Sequence, residues 1–166
     1  MCEDINTKSI IEALLFSQEN PLSEKMLAKI LEKKEDVIKS AIYELKRDFQ
    51  DRAIELTNIA GGWKFQTKKE FFPWIEKFSP SKKTKLSKQA LVTLAIIAYN
   101  QPITRQEIER IRGVDSHGAI NSLLDCEFVE IAGVKKSPGN PFLYRTTKKF
   151  LLSTGLPDIS ALPKIE

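Results

Sequence analysis

Two stretches of the chain share one pattern of apolar and polar positions. In each, a helical run of apolar residues ends at a proline, an aliphatic residue follows, and a hydroxyl residue opens a second apolar-periodic segment. The matched pairs, all separated by 81 positions, are Pro21 and Pro102, Ser23 and Thr104, Leu27 and Ile108, and Ile30 and Ile111. Such a constant offset indicates that one supersecondary unit occurs twice. A hydroxyl residue in this place is a typical N-cap, and Thr104 to Glu107 also fits a capping box.

A third helical pattern follows in each copy, over Glu35–Arg47 and over Asp115–Glu127. Apolar residues recur there at helical spacing, which marks the face expected in the core. These positions are Val37, Ile38, Ala41, Ile42 and Leu45 in the first copy and Ala119, Ile120, Leu123, Leu124 and Phe128 in the second.

Strand-like stretches come next, at 54–60 and 63–67 around a Gly61-Gly62 turn, and at 128–132 and 142–146 around a looser loop. Three helices followed by a β-hairpin are the plan of a winged helix-turn-helix. The predicted fold is therefore mainly α with small β-hairpins, built as two tandem winged helix-turn-helix domains. The predicted parts are a first domain at 1–78, a basic linker at 79–88, a second domain at 89–155, and a tail at 156–166 on the surface or docked on a partner.

Composition excludes several classes of protein. The longest apolar run, Leu94–Tyr99, has six residues, whereas a membrane span needs about 20. The acidic start of the chain resembles no signal peptide, so we expect a cytoplasmic protein that does not enter the membrane. Cys2 and Cys126 cannot form a disulfide framework, and a single histidine, His117, leaves too few ligands for zinc. We expect no metal and no cofactor.

The charge of the third helices argues against reading DNA. A helix in the major groove usually carries Lys or Arg, because phosphate neutralisation supplies much of the affinity. The segment Glu35–Arg47 has no net charge, and Asp115–Glu127 has a net charge of −3 without any Lys or Arg. The excess of 26 basic over 22 acidic residues lies mainly elsewhere, including the linker cluster Lys82, Lys83, Lys85 and Lys88. That cluster is a solvated linker or a weak, non-specific nucleic-acid contact.

Other candidate groups have plain structural interpretations. Asp115, Ser116 and His117 are the residue types of a hydrolase triad, but adjacent residues at a helix start point apart, so one of the first two is expected as an N-cap. Cys126 is expected as a small core residue. Arg112 before Gly113 fits either a helix C-terminus or a partner contact. Most members of an aromatic group are expected under the first wing, with one or two exposed; these are Trp63, Phe65, Phe71, Phe72 and Trp74. We predict no enzymatic activity.

Over about residues 10–155 the chain resembles the segregation and condensation protein B family, the accessory subunits of bacterial condensin. The most specific stretch runs from Leu94 to Val114, LAIIAYNQPITRQEIERIRGV. Further matches are EALLF with Pro21-Leu22, AGGWKFQT from Ala60, and Pro138-Gly139 with the residues that follow it. Asn100, Val134 and Asn140 depart from the family pattern, which often has a basic residue there.

The resemblance implies a non-catalytic homodimer whose N-terminal domain dimerises. It implies binding to the kleisin subunit, segregation and condensation protein A, and through it to the SMC ATPase at the nucleoid, with DNA touched only indirectly or weakly. The second domain is expected to hold a kleisin segment in an apolar groove with a polar rim. The residues predicted near that groove are Tyr99, Gln101, Arg105, Glu109, Arg112, Pro141 and Tyr144. The alternative is a DNA-binding transcription regulator with the same two domains.

Overall fold

The structure is a computed structural model that describes residues 6–78 and 86–164. Cys2 and the linker lysines Lys82, Lys83 and Lys85 lie outside the described residues. The chain divides into two compact units, with residues 6–78 in the first and 86–164 in the second.

The first unit contains three helices, a two-stranded antiparallel sheet and a fourth, short helix. Ser23 caps the second helix, as predicted, because its hydroxyl accepts a hydrogen bond from the Met26 amide at 3.3 Å. The elements are α1 Thr7–Ser17, α2 Glu24–Leu31, α3 Glu35–Asp48, β1 Ile54–Ile59, β2 Gly62–Thr67, a 3₁₀ turn Lys69–Phe71 and α4 Phe72–Phe78.

The core of this unit lies between the three helices and the hairpin. Four of the five predicted α3 positions are buried, whereas Val37 is exposed. Trp63 and Phe65 pack against the core from β2, and the Trp63 indole donates to Glu24 at 3.1 Å. The buried residues are Ile11, Leu15, Leu22, Leu27, Ile38, Ala41, Ile42, Leu45, Phe49 and Leu56.

The turn of the first hairpin differs from the prediction by one residue. Ala60 and Gly61, both with positive φ, form it, and Gly62 already pairs with Ile59 in the ladder. Two successive residues of positive φ suit the right-handed twist of a two-residue hairpin. Gly62 is needed for another reason, since a Cβ there would lie 2.9 Å from the backbone carbon of Pro21.

The second unit repeats the plan and adds a closing helix. Its sheet has the order β3-β5-β4, with both pairs antiparallel. The elements are α5 Lys88–Asn100, β3 Ile103–Thr104, α6 Arg105–Arg112, α7 His117–Asp125, β4 Val129–Val134, β5 Phe142–Thr146, α8 Lys148–Thr154 and a 3₁₀ turn Ile159–Ala161. Ser87 caps α5, so the last predicted linker residue, Lys88, belongs to that helix.

In both units, one residue of the segment before the second helix pairs with a strand of the wing. Leu22 forms a bridge with Trp63, and Ile103 pairs with Tyr144. Both residues of the second pair lie 81 positions after their counterparts, so the repeat extends to the hydrogen bonds between segments. The two units are winged helix-turn-helix domains, and the predicted mainly-α fold with small hairpins is confirmed.

The described part of the tail packs on its own unit. Leu156, Ile159 and Leu162 lie against the core of the second unit, partly buried. The described part of the tail thus lies on the surface of its own unit, and these aliphatic side chains extend the core outward. Cys126 is only half-buried at the end of α7, rather than a core residue.

Candidate functional site

A capping box fixes the start of α6. The Thr104 hydroxyl accepts a hydrogen bond from the Glu107 amide at 3.3 Å, and the Glu107 carboxylate accepts from the Thr104 amide at 2.9 Å. Lys135 from the wing loop adds an ion pair to Glu107 at 2.6 Å. The hydrogen bond from Lys135 and those from Thr104 lower the pKa of Glu107 to about 2. The loop of the wing is thereby held against α6.

Arg105 binds two carboxylates, that of Glu109 in α6 and that of Asp115 in the turn before α7. Its Nε donates to Glu109 Oε1 at 2.6 Å, and its Nη2 donates to Asp115 Oδ1 at 2.9 Å. Glu109 also accepts from the Ser116 amide at 3.1 Å. The hydrogen bond with Glu109 raises the pKa of the Arg105 guanidinium, and that of Glu109 is lowered by Arg105 and by the Ser116 amide. These bonds hold the turn before α7 onto α6.

Arg112 ends α6 on the other side of that turn. Gly113 follows it as the C-cap in the left-handed region, and its amide donates to the Glu109 carbonyl at 2.8 Å. The Arg112 Nη1 donates to Ser116 Oγ at 3.0 Å and to the Asp115 carbonyl at 3.3 Å. Both acceptors are neutral, so these contacts hold the guanidinium in place without neutralising its charge.

The Ser116 and His117 side chains are not arranged as a nucleophile and its base. The Ser116 hydroxyl donates to the Val114 carbonyl and accepts from Arg112. The His117 ring nitrogens lie near Arg105 and Asn121 instead. A hydrolase needs a hydrogen bond between the two groups. Asp115 performs the predicted capping, since its carboxylate accepts from the His117 amide at 3.2 Å, while Ser116 occupies the N-cap position without a side-chain cap bond.

The structure brings three of the seven predicted site residues together, and these are Arg105, Glu109 and Arg112. Tyr99, Gln101 and Pro141 make their hydrogen bonds elsewhere in the second unit, and Tyr144 lies in the core within electrostatic range of Arg105. The Tyr99 hydroxyl donates to the Pro163 carbonyl at 2.6 Å, and Gln101 Oε1 accepts from the Thr146 amide at 2.6 Å. Pro141 accepts from the Lys135 amide at 2.9 Å in the wing loop, and Tyr144, only 8% exposed, belongs to the core.

A groove runs beside this network, and Arg112 is the one residue of its lining that was among the seven predicted. It has a volume of about 500 Å³ between α5, α6 and the following turn. Aliphatic side chains form most of its surface, and two cations, Lys88 and Arg112, line it as well; we call these two residues its edge. Its lining residues are Lys88, Gln89, Val92, Ile96, Ile111, Arg112 and Val114. A signal was present in the sequence, because the apolar stripe of α5 is wider than one buried face requires.

Residues 6–78 and 86–164 contain no group of three or more His, Cys, Asp or Glu side chains placed to hold a metal ion. Within the same residues, no helix is long and apolar enough to cross a membrane.

Comparison with known proteins identifies the family. The family model described as segregation and condensation complex subunit ScpB matches residues 9–165. Segregation and condensation protein B of Desulforamulus reducens is 43% identical over 162 residues, which cover 96% of this chain and 90% of that protein. The homolog from Coxiella burnetii is 37% identical over 98% of this chain and 80% of its own length.

Solved structures give weaker likenesses. The crystal structure of ScpB from Mycobacterium tuberculosis is 28% identical with a TM-score of 0.44, covering 94% of this chain and 99% of that chain. A structure described as a dimer of the ScpB N-terminal domain complexed with ScpA peptide is 38% identical with a TM-score of 0.41, covering 43% and 91%. The assignment rests on the sequence comparisons, which cover nearly all of the chain. This chain belongs to the segregation and condensation protein B family.

Proposed function

We propose that the protein is a non-catalytic, homodimeric adaptor that binds the kleisin, segregation and condensation protein A, and through it supports an SMC complex in chromosome condensation and segregation at the nucleoid. Membership of a family of complex subunits supports this assignment. The structural observation that carries it is α7, which contains no Lys or Arg and stands where a DNA-reading helix would.

The first unit supports the homodimer. No residue of α4 is buried, and its Trp74 and Phe78 side chains are 66% and 92% exposed. Aromatic side chains bury large areas when they are covered, and they are enriched at protein interfaces. An exposed aromatic helix is expected where a second copy completes the packing.

The second unit supports kleisin binding. Arg112 lines an apolar groove, and Arg105 and Glu109 belong to the hydrogen-bond network next to it. Interfaces combine an apolar centre with a polar rim. Co-purification of the full chain with the kleisin of the same organism tests this proposal.

In that experiment we expect the double variant Tyr99→Ala, Arg112→Ala to retain less kleisin than the wild type. Arg110→Ala is the matched control, because Arg110 is an exposed cation on the same helix and does not line the groove. Equal recovery with wild type and double variant would show that neither Tyr99 nor Arg112, the groove residue of the pair, contributes to kleisin binding.

The alternative is a tandem winged-helix transcription regulator. It predicts tight, sequence-selective DNA binding with a steep salt dependence, since each phosphate contact adds to the slope. A salt titration against one selected and one random duplex separates the two functions. The adaptor is expected to bind both duplexes weakly and alike.

A further inference from the structure

The groove between α5 and α6 is lined by exposed aliphatic side chains, which we call its floor. The side chains of Val92, Ile111 and Val114 are 52%, 55% and 56% exposed, although all three line one concavity. Single exposed aliphatic residues are ordinary, but three around one concavity indicate a contact surface. A groove between two helices suits a segment that inserts apolar side chains along it.

The edge of the groove is positively charged. Lys88 and Arg112 line it, and none of its seven lining residues is acidic. Neither cation forms an ion pair with any residue in 6–78 or 86–164. Within the same ranges the Arg112 Nε and Nη2 atoms make no hydrogen bond, so they remain available to a carboxylate.

Two further features keep the groove cationic. The carboxylates of Glu109, in α6, and Asp115, in the turn after it, both form ion pairs with Arg105. Arg105 therefore offsets their negative charge. The first turn of α5, which begins at Lys88, contains no acidic residue, so the positive end of that helix dipole is not offset there.

From this charge pattern we infer that the groove binds an apolar kleisin segment flanked by Asp or Glu, whose carboxylates pair with Lys88 and Arg112. This inference rests on the proposed kleisin function and adds the chemistry of the segment. A basic or neutral segment would leave both cations without counter-ions at the edge of the interface.

Calorimetric titration of the full chain with the purified kleisin at low and high salt tests the inference. Lys88→Glu and Arg112→Gln change the edge, and Ile111→Gln changes the floor. Arg110→Glu is the matched control, since it introduces the same charge on α6 outside the groove. Lys88, Arg110 and Ile111 are exposed and Arg112 is partly exposed, so we expect all four variants to fold. Circular dichroism checks the fold of each variant.

We expect Lys88→Glu to weaken binding about fivefold at low salt and less at high salt, because salt screens the attraction between exposed charges. Ile111→Gln should weaken binding about tenfold at both salt concentrations through lost apolar burial. Arg110→Glu should bind like the wild type.

Other results would overturn the inference in distinguishable ways. If Ile111→Gln weakens binding but both edge variants bind normally, the groove is the site and the acidic chemistry is wrong. If all groove variants bind normally, the kleisin lies elsewhere and the proposed function stands without the inference. If the wild type does not bind the kleisin, the proposed function and the inference both fail. If Ile111→Gln converts a dimer into a monomer in light scattering, a second copy of this chain occupies the groove.

Discussion

At the scale of single residues, the sequence predicted contacts that are local along the chain. The capping box from Thr104 to Glu107 could be read from spacing alone, because both partners lie within one helical turn. The ion pair from Lys135 to Glu107 could not, because it joins residues 28 positions apart through the folding of the wing. The same holds for Gln101, whose partner Thr146 lies 45 positions away.

Glu107 should make stability depend on acid pH. Its pKa is lowered from 4.5 to about 2, so the native state binds the proton less readily than the unfolded state. The stabilisation is full above about pH 4.5 and is lost as the pH falls towards 2. Glu107→Gln should therefore cost about 1 kcal/mol at pH 7 and less at pH 3.

Urea unfolding of wild type and Glu107→Gln, followed by circular dichroism at several pH values, measures this difference. The other carboxylates titrate alike in both proteins, so their contributions cancel in the difference between the two free energies of unfolding. A difference that is the same at pH 6 and pH 3 would contradict the assignment.

Gly62→Ala should destabilise the first unit by about 2 kcal/mol. The new Cβ would lie 2.9 Å from both the backbone carbon and the Cβ of Pro21, and neither can move like a flexible side chain. Gly118→Ala is the control, because nothing lies within 4 Å of its Cβ position in α7, where alanine favours the helix. Thermal unfolding should show a lower transition temperature for Gly62→Ala only; equal transitions would show that the backbone relaxes freely.

At the scale of elements, periodicity predicted three helices and a hairpin in each unit. The shorter elements, such as β3 and α4, were missed. Two residues, as in β3, are too few to show alternation, and their pairing with β5 depends on the whole unit. The helix α4 was missed because its apolar side chains are not directed to a core. The aliphatic lining of the groove was missed, because Val92 and Ile111 look like core residues in the sequence.

The packing of the tail gives a prediction at this scale. Ile159→Ala combined with Leu162→Ala should destabilise the second unit by about 2 kcal/mol, because both side chains are partly buried against its core. Hydrogen exchange should show faster exchange of α5 amides and unchanged α3 amides. Lys164→Ala, an exposed tail residue, is the control. Unchanged protection of α5 would mean that the tail contributes nothing to the unit.

At the scale of the whole molecule, one fold occurs twice with different exposed surfaces. The offset of 81 positions predicted this arrangement, and it reaches the paired residues Trp63 and Tyr144. What each unit binds could not be read from the repeat, because it depends on surface residues that the repeat does not share. The first unit exposes aromatic side chains on α4, and the second exposes a cationic groove.

The aromatic surface should control self-association. Trp74→Glu combined with Phe78→Glu should convert a dimer into a monomer, because charges on a covered apolar surface are not solvated. Size-exclusion chromatography with light scattering measures the mass of the full chain. Lys25→Glu places a new carboxylate on α2 and should leave the mass unchanged. A double variant that stays dimeric would place the dimer contact on another surface.

The bonds of Arg105 to two carboxylates have a consequence for the evolution of partner choice. Losing this one guanidinium would release two negative charges next to the groove. The two released charges would offset those of Lys88 and Arg112, so the proposed attraction for acidic chains would weaken without any change in the residues that line the groove. A single substitution at Arg105, which does not itself line the groove, would thus change which sequences the protein accepts.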